Sequence, residues 1–176
     1  MNSFCCAFAA GVIALAPTAV RGQGIAYADS AQWARYQPGT LSGIVRQQAP
    51  VWLKDLPVKA TVFAVGAPNP TRAHVVFLGQ TRRMPTARTQ LIGGWLRARQ
   101  LDSARVLAQY TREVLVREGN RRYWLPVREE TWVNTQELWV PNRPIVVFVQ
   151  LVGARVVDRV PDWVFLVMTV EPAPDA

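Results

Sequence analysis

Residues 104–128 decide the fold, and they read ARVLAQYTREVLVREGNRRYWLPVR. Gly119 and Asn120 are typical of a two-residue hairpin turn between two segments whose apolar residues alternate. A turn at this point fixes the register of both strands. One face, mostly apolar, carries the pairs Glu118–Arg121, Val116–Tyr123, Val114–Leu125 and Arg112–Val127, and the other carries Arg117–Arg122, Leu115–Trp124 and Glu113–Pro126. We therefore predict a buried apolar face, a charge pair at the tip, and Trp124 on the opposite side.

The residues before the turn allow two secondary structures. Ser103 could cap a helix that ends at Gly119. Val106, Ala108 and Tyr110, however, extend the alternation of the hairpin strand towards the N-terminus. We therefore predict that the first strand already includes Val106.

Other parts of the chain combine β-branched and aromatic residues in short runs bounded by Gly and Pro, which favours strands. Strands are predicted at 59–66 and 73–79, joined into a second hairpin by a turn at 67–71. Further strands are predicted near Leu138, at 145–152 and at 162–170, with a turn at 153–155.

One segment, 85–101, has helical spacing, because Leu91, Ile92, Trp95 and Leu96 recur on one side. Thr86 could cap this helix, and the pair Gly93–Gly94 predicts that a backbone or a bulky ring packs closely there. A second short helix could start at Thr40 and run to Gln48, with Pro50 as the residue that stops it.

Short strands with a single clear helix predict a mainly β protein, an antiparallel sandwich or small barrel. An α+β arrangement is the second choice. The expected domain organisation is a signal peptide at 1–28, a covering arm at 29–57, a single β-rich domain at 58–171 and a flexible tail at 172–176.

The first residues resemble an export signal. The segment 4–20 is apolar and uncharged, and Ala26-Tyr27-Ala28 matches an A-x-A cleavage site. The rival interpretation is an uncleaved membrane anchor at 4–20. Cleavage after Ala28 would remove Cys5 and Cys6, so the mature chain would have no thiol for a disulfide, a nucleophile or a metal. We expect a periplasmic or secreted protein.

Catalytic motifs are absent from the sequence. His74 is the only histidine, no serine lies in a G-x-S-x-G elbow, and no glycine-rich phosphate loop is present. We predict no catalytic residue, no metal site and no cofactor. Carboxylates that could act as an acid–base pair in an envelope hydrolase remain an alternative. They are Glu113, Glu129, Glu130, Glu137 and Asp158.

Basic residues are in excess, with 20 Lys and Arg against 12 Asp and Glu, and the net charge is +8. This charge favours association with polyanions. The densest cluster of arginines and aromatic rings lies in the hairpin, which predicts a binding surface. Its residues are Arg112, Arg117, Arg121, Arg122, Trp124 and Arg128.

The expected function is binding, without catalysis, of another envelope protein or an anionic surface. Trp33, Trp52, Trp124, Trp132 and Trp139 are candidate contact residues, because Trp favours interfaces. Nucleic acid is a further candidate partner for the hairpin.

Overall fold

The computed structural model describes residues 34–54, 56–64 and 70–174. The predicted signal peptide, Trp33 and the end of the predicted tail lie outside these residues. The described chain is mainly β, with one mixed sheet of seven strands and a few short helices. The strands are β1 (Gln37–Gly39), β2 (Lys59–Phe63), β3 (Thr71–Arg83), β4 (Arg112–Glu118), β5 (Arg121–Val127), β6 (Pro144–Val157) and β7 (Val160–Pro172). The helices are α1 (Leu41–Trp52), α2 (Thr86–Ala98), α3 (Ser103–Leu107), α4 (Glu129–Asn134) and a 3-10 helix at Gln136–Leu138.

The strand order is β1-β3-β4-β5-β7-β6-β2, and β3 also pairs with β6. The five strands β3, β4, β5, β7 and β6 therefore form a ring, because β3 pairs with β4 along one edge and with β6 along the other. The pairs β1–β3 and β5–β7 are parallel. The expectation of an antiparallel sheet is thus wrong for these two pairs. Each pair joins strands that are distant in the sequence, so no local turn determines their relative direction.

The hairpin register is confirmed at all seven predicted pairs of β4 and β5. Gly119 has a φ of 55°, which a glycine adopts without strain. Val114, Val116 and Leu125 are fully buried on the inner face. The ring of Tyr123 packs edge-on against Phe165 of β7.

The largest core cluster draws on inward-facing residues of all five strands that form the ring. Each strand contributes apolar side chains from alternate positions, as expected when one face of a sheet is buried. Examples are Val75, Val116, Leu125, Val147 and Phe165. A second cluster lies where Leu91, Ile92, Trp95 and Leu96 of α2 cover the outer face of β6 and β7.

The prediction that the first hairpin strand includes Val106 is wrong. Residues Ser103–Leu107 form α3, and β4 begins only at Arg112. The side chain of Asp102 accepts a hydrogen bond from the backbone N–H of Arg105, at 3.1 Å. This cap satisfies an otherwise free helix N–H, so local capping prevails over the alternation of apolar residues.

The second predicted hairpin is also wrong, because β2 pairs with β6 rather than with β3. The predicted turn at 153–155 is absent, and β6 continues through Gly153. A Cβ on Gly153 would lie only 2.0 Å from the carbonyl oxygen of Val62, so this glycine allows β2 to approach. The chain reverses instead at Asp158 and Arg159, both of which have positive φ.

Helix α2 confirms the helix predicted at 85–101, with Pro85 rather than Thr86 at the cap position. A Cβ on Gly94 would lie 2.5 Å from the ring of Phe63, which explains the glycine. Helix α1 begins where predicted, with Thr40 as its N-cap residue, but it continues through Pro50 to Trp52. The strand predicted near Leu138 is wrong, since this residue ends the 3-10 helix.

Candidate functional site

The structure divides the six predicted binding residues among three places. Arg117, Arg121 and Arg122 are exposed at the end of the β4–β5 hairpin, and Trp124 is half-buried on its outer side. Arg112 and Arg128 lie at the opposite end of the hairpin and contact other elements. We use the term hairpin face for the outer side chains of Arg82, Arg117, Arg122 and Trp124.

Glu118 does not neutralise Arg121, although the two residues are paired in the ladder. Its carboxylate accepts hydrogen bonds from the backbone N–H groups of Leu41 at 2.6 Å and Ser42 at 2.8 Å, and from the hydroxyl of Ser42. An acidic group stabilises the positive end of a helix, so Glu118 joins the hairpin tip to α1. The predicted charge pair is therefore replaced by a helix cap.

Arg117 and Arg122 lie directly opposite each other on β4 and β5, and both are exposed. Like charges at opposed positions of two strands destabilise a sheet. Among the described residues, neither arginine forms an ion pair with a carboxylate. The hairpin face therefore keeps two close positive charges that an anion would neutralise.

Trp124 lies beneath an arginine rather than in the core. The guanidinium carbon of Arg82 is 4.0 Å from the centre of the Trp124 ring. At this distance a cation–π contact is favourable. Arg82 also donates from Nε to Glu113 Oε2 at 2.7 Å, which fixes the guanidinium over the ring.

A buried ion network lies beside the hairpin face, where β5 and β7 pair at only one position. Arg88 of α2 donates from Nη1 to Glu113 Oε1 at 2.7 Å and to the backbone oxygen of Trp124 at 2.6 Å. Its Nε donates to Asp162 Oδ2 at 3.1 Å. Arg88 thus satisfies polar groups of three strands, β4, β5 and β7.

Burial alone would lower the pKa of Arg88, but its hydrogen bond to Asp162 and the nearby Glu113 outweigh burial and raise the pKa. The guanidinium therefore stays charged. Sequence reasoning missed this residue. The available signal was its helical spacing, because position 88 lies on the same side of α2 as Leu91, Ile92 and Trp95.

Arg112 is held by neighbours and does not join the hairpin face. Its Nη2 donates to Glu129 Oε1 at 2.7 Å, and its guanidinium lies 5.0 Å from the centre of the Trp132 ring. Trp132 in turn stacks on the buried Trp139. These contacts give Arg112, Trp132 and Trp139 a structural role within the described fold.

Other candidate groups are dispersed. Glu113 belongs to the ion network and Glu129 pairs with Arg112. Glu130, Glu137 and Asp158 are exposed, as is His74. Within residues 34–54, 56–64 and 70–174, no group of three His, Cys, Asp or Glu side chains could hold a metal ion.

Comparison with known protein families and characterised proteins, and of the structure with solved structures, finds no match. No helix in the described part of the chain has both the length and the apolar character needed to cross a bilayer.

Proposed function

We propose that the protein is an exported, non-enzymatic binding domain whose hairpin face holds an anionic partner. The partner would be another envelope protein or an anionic surface. The observation that carries this proposal is the opposed, exposed pair Arg117 and Arg122, which lacks a carboxylate partner among the described residues. An anion between the two guanidinium groups would turn a repulsion into two charge-assisted hydrogen bonds.

The strand order supports a small barrel as the framework for this face. β3, β4, β5, β7 and β6 return to β3, β5 and β7 are parallel, and α4 lies between β5 and β6 in the chain. We assign this order to a five-stranded barrel of the OB kind. Such barrels bind extended ligands on the face of their second and third strands, which here are β4 and β5. The likeness to such barrels lies in the strand order and not in the sequence.

The proposed location rests on the sequence of the leader alone. The apolar segment 4–20 and the cleavage pattern at Ala26–Ala28 indicate export to the periplasm or beyond. Anchoring by residues 4–20 is the alternative. Either location would expose the hairpin face to acidic proteins and anionic lipids.

Binding to anionic probes at increasing salt concentration tests the proposal. The probes are a polyglutamate peptide and vesicles that contain phosphatidylglycerol, with phosphatidylcholine vesicles as the neutral reference. The variant R117Q/R122Q should bind the anionic probes at least tenfold more weakly, and the dependence on salt should become shallower.

The matched control is R46Q/R105Q, which removes two exposed arginines from α1 and α3. This variant has the same net charge as R117Q/R122Q, so it should retain most of the affinity. Equal losses of affinity in both double variants would show that only the net charge of the protein matters and would contradict the proposal. Binding that ignores salt would also overturn the proposal.

Single-stranded nucleic acid is the second candidate, favoured by the contact between Arg82 and Trp124. Bases stack on aromatic rings and on guanidinium planes, and stacking on an aromatic ring is worth about 1–3 kcal/mol per base. A thymidine oligonucleotide added to the same titration separates the candidates. Loss of oligonucleotide binding in W124A, with polyglutamate binding unchanged, would favour nucleic acid.

The hydrolase alternative draws no support from the geometry of the described residues. Glu113 and Glu129, two of its candidate carboxylates, are held in ion pairs, and Glu130, Glu137 and Asp158 are exposed.

A further inference from the structure

A recess of about 460 Å³ lies on the outer face of β6 and β7, away from the hairpin face. Gln150, Leu166 and Met168 of these strands line it. Helix α2 contributes Trp95, Leu96 and Arg99, the segment around α3 contributes Val106 and Tyr110, and the chain before β1 contributes Arg35 and Tyr36. A recess of this size is within the range that holds small organic ligands.

Three arginines line the recess, and each lies near an aromatic ring that also lines it. The guanidinium carbon is 4.9 Å from the ring centre for Arg99 and Trp95, 5.7 Å for Arg35 and Tyr36, and 5.8 Å for Arg128 and Tyr110. Arg128 Nε also donates to the hydroxyl of Tyr110 at 3.1 Å. The rings and this hydrogen bond orient the guanidinium groups in advance of any ligand.

Among the described residues, no carboxylate balances these positive charges. No Asp or Glu lines the recess, and in the part of the chain that the structure describes, Arg35, Arg99 and Arg128 form no ion pair. Tyr36 and Tyr110 do not supply negative charge either, because burial raises the pKa of both hydroxyls despite the nearby arginines.

Arg35 and Arg128 line the same recess. Burial raises the pKa of the Tyr36 hydroxyl, and the positive charges of Arg35 and Arg128 both oppose that rise. Two cations in one recess create a local positive potential that favours an oxyanion.

The remaining surface of the recess is largely apolar. Leu96 and Leu166 form buried parts of its wall, whereas Leu101, Val106 and Met168 keep exposed apolar surface. An inorganic ion would leave this exposed surface uncovered, whereas an apolar body attached to the anion would bury it. The lining thus selects a ligand with two chemically distinct parts.

We propose that this recess is a second binding site, for an amphiphilic organic anion. A carboxylate, sulfonate or phosphate group lies near Arg35 and Arg128, and the apolar or aromatic body of the ligand packs on Leu101, Val106 and Met168. The site is separate from the hairpin face and does not depend on the function proposed for that face.

A matched pair of fluorescent probes tests this inference on the full-length protein. Anilinonaphthalene sulfonate has an aromatic body and one sulfonate, and N-phenyl-1-naphthylamine has the same body without the charge. The wild-type protein should bind the sulfonate with one-to-one stoichiometry and at least tenfold more tightly than the neutral probe. Loss of one charged hydrogen bond corresponds to a change of about this size.

Two substitutions assign the sulfonate to its proposed position. R35Q and R128Q should each lower the affinity for the sulfonate probe about tenfold. The affinity for the neutral probe should stay within about twofold of the wild-type value. R46Q is the control that removes one positive charge elsewhere, as R35Q and R128Q do in the recess. R117Q/R122Q is the control for the hairpin face. Both controls should bind the sulfonate as the wild-type protein does. Near-ultraviolet circular dichroism of each variant verifies that the tertiary structure is intact.

Equal affinity of the two probes for the wild-type protein would overturn the inference. So would sulfonate binding that R35Q and R128Q leave unchanged, or that R117Q/R122Q abolishes. Loss of polyglutamate binding in R117Q/R122Q with sulfonate binding retained would support both sites independently. Failure of the hairpin proposal alone would leave the recess result unaffected.

Discussion

Arginines have two contrasting environments in this protein. Beside the hairpin, Arg88 is 7% exposed and binds two carboxylates and a backbone oxygen. Arg117 and Arg122 of the hairpin face lie opposite each other, and the three arginines of the recess lie against aromatic rings. None of these five has a carboxylate partner among the described residues. The two groups are alike in sequence and differ in what surrounds the charge.

The difference separates stability from binding. A buried ion pair contributes little net stability, yet the loss of one partner leaves a charge buried alone and costs several kcal/mol. An exposed arginine without a partner costs little and keeps its hydrogen-bond donors available. The presence of a carboxylate partner thus distinguishes the structural arginines from those proposed to bind.

Removal of Arg88 should produce the largest loss of stability. R88A leaves Glu113, which is fully buried, with only the half-exposed Arg82 as a partner. We expect the free energy of unfolding to fall by about 3–5 kcal/mol. Urea denaturation followed by circular dichroism measures this change. R46Q should change the free energy by less than about 0.5 kcal/mol. A loss below 1 kcal/mol in R88A would contradict the structural role of the network.

The ion pair of Arg112 and Glu129 should contribute much less to the free energy of unfolding, and its contribution should depend on pH. The hydrogen bond from Thr111, at 2.8 Å, and those from Arg112 lower the pKa of Glu129 below its usual value of 4.5. Its stabilisation is therefore complete above the unfolded pKa and is lost as the pH falls through the lower, folded pKa.

Because both side chains are about a third or more exposed, the effect should be only a few tenths of a kcal/mol. The free energy of unfolding of E129Q, compared with the wild type at neutral and at acidic pH, measures it. The difference between the two proteins should shrink on acidification. A difference that grows as the pH falls would show that Glu129 is not stabilised as a carboxylate.

The sequence predicted the hairpin well, because its determinants are local. The turn at Gly119–Asn120 and the alternation on each side fix the register, and seven pairs follow. The spacing of Leu91, Ile92, Trp95 and Leu96 likewise predicted α2. The same reasoning failed at Val106, where the side chain of Asp102 caps a helix and overrides the pattern.

The recess was not predictable in the same way, because its residues are distant in the chain. Arg35 and Arg128 come to line one recess only after the strands have paired. Some signals were nevertheless present. Arg35 adjoins Tyr36, and Arg99 follows Trp95 by four residues, a spacing that places both on one side of a helix. Such signals indicate local contacts, whereas the recess forms only where α2, the segment around α3 and the chain before β1 meet β6 and β7.

The stability and the affinity of R117Q/R122Q, measured on the same preparation, test the central claim most directly. Removal of the opposed like charges should leave the free energy of unfolding unchanged or raise it by up to about 1 kcal/mol. Binding of the anionic probes should fall at least tenfold in the same variant. A destabilised variant that still binds these probes with the affinity of the wild type would contradict the assignment of Arg117 and Arg122 to binding.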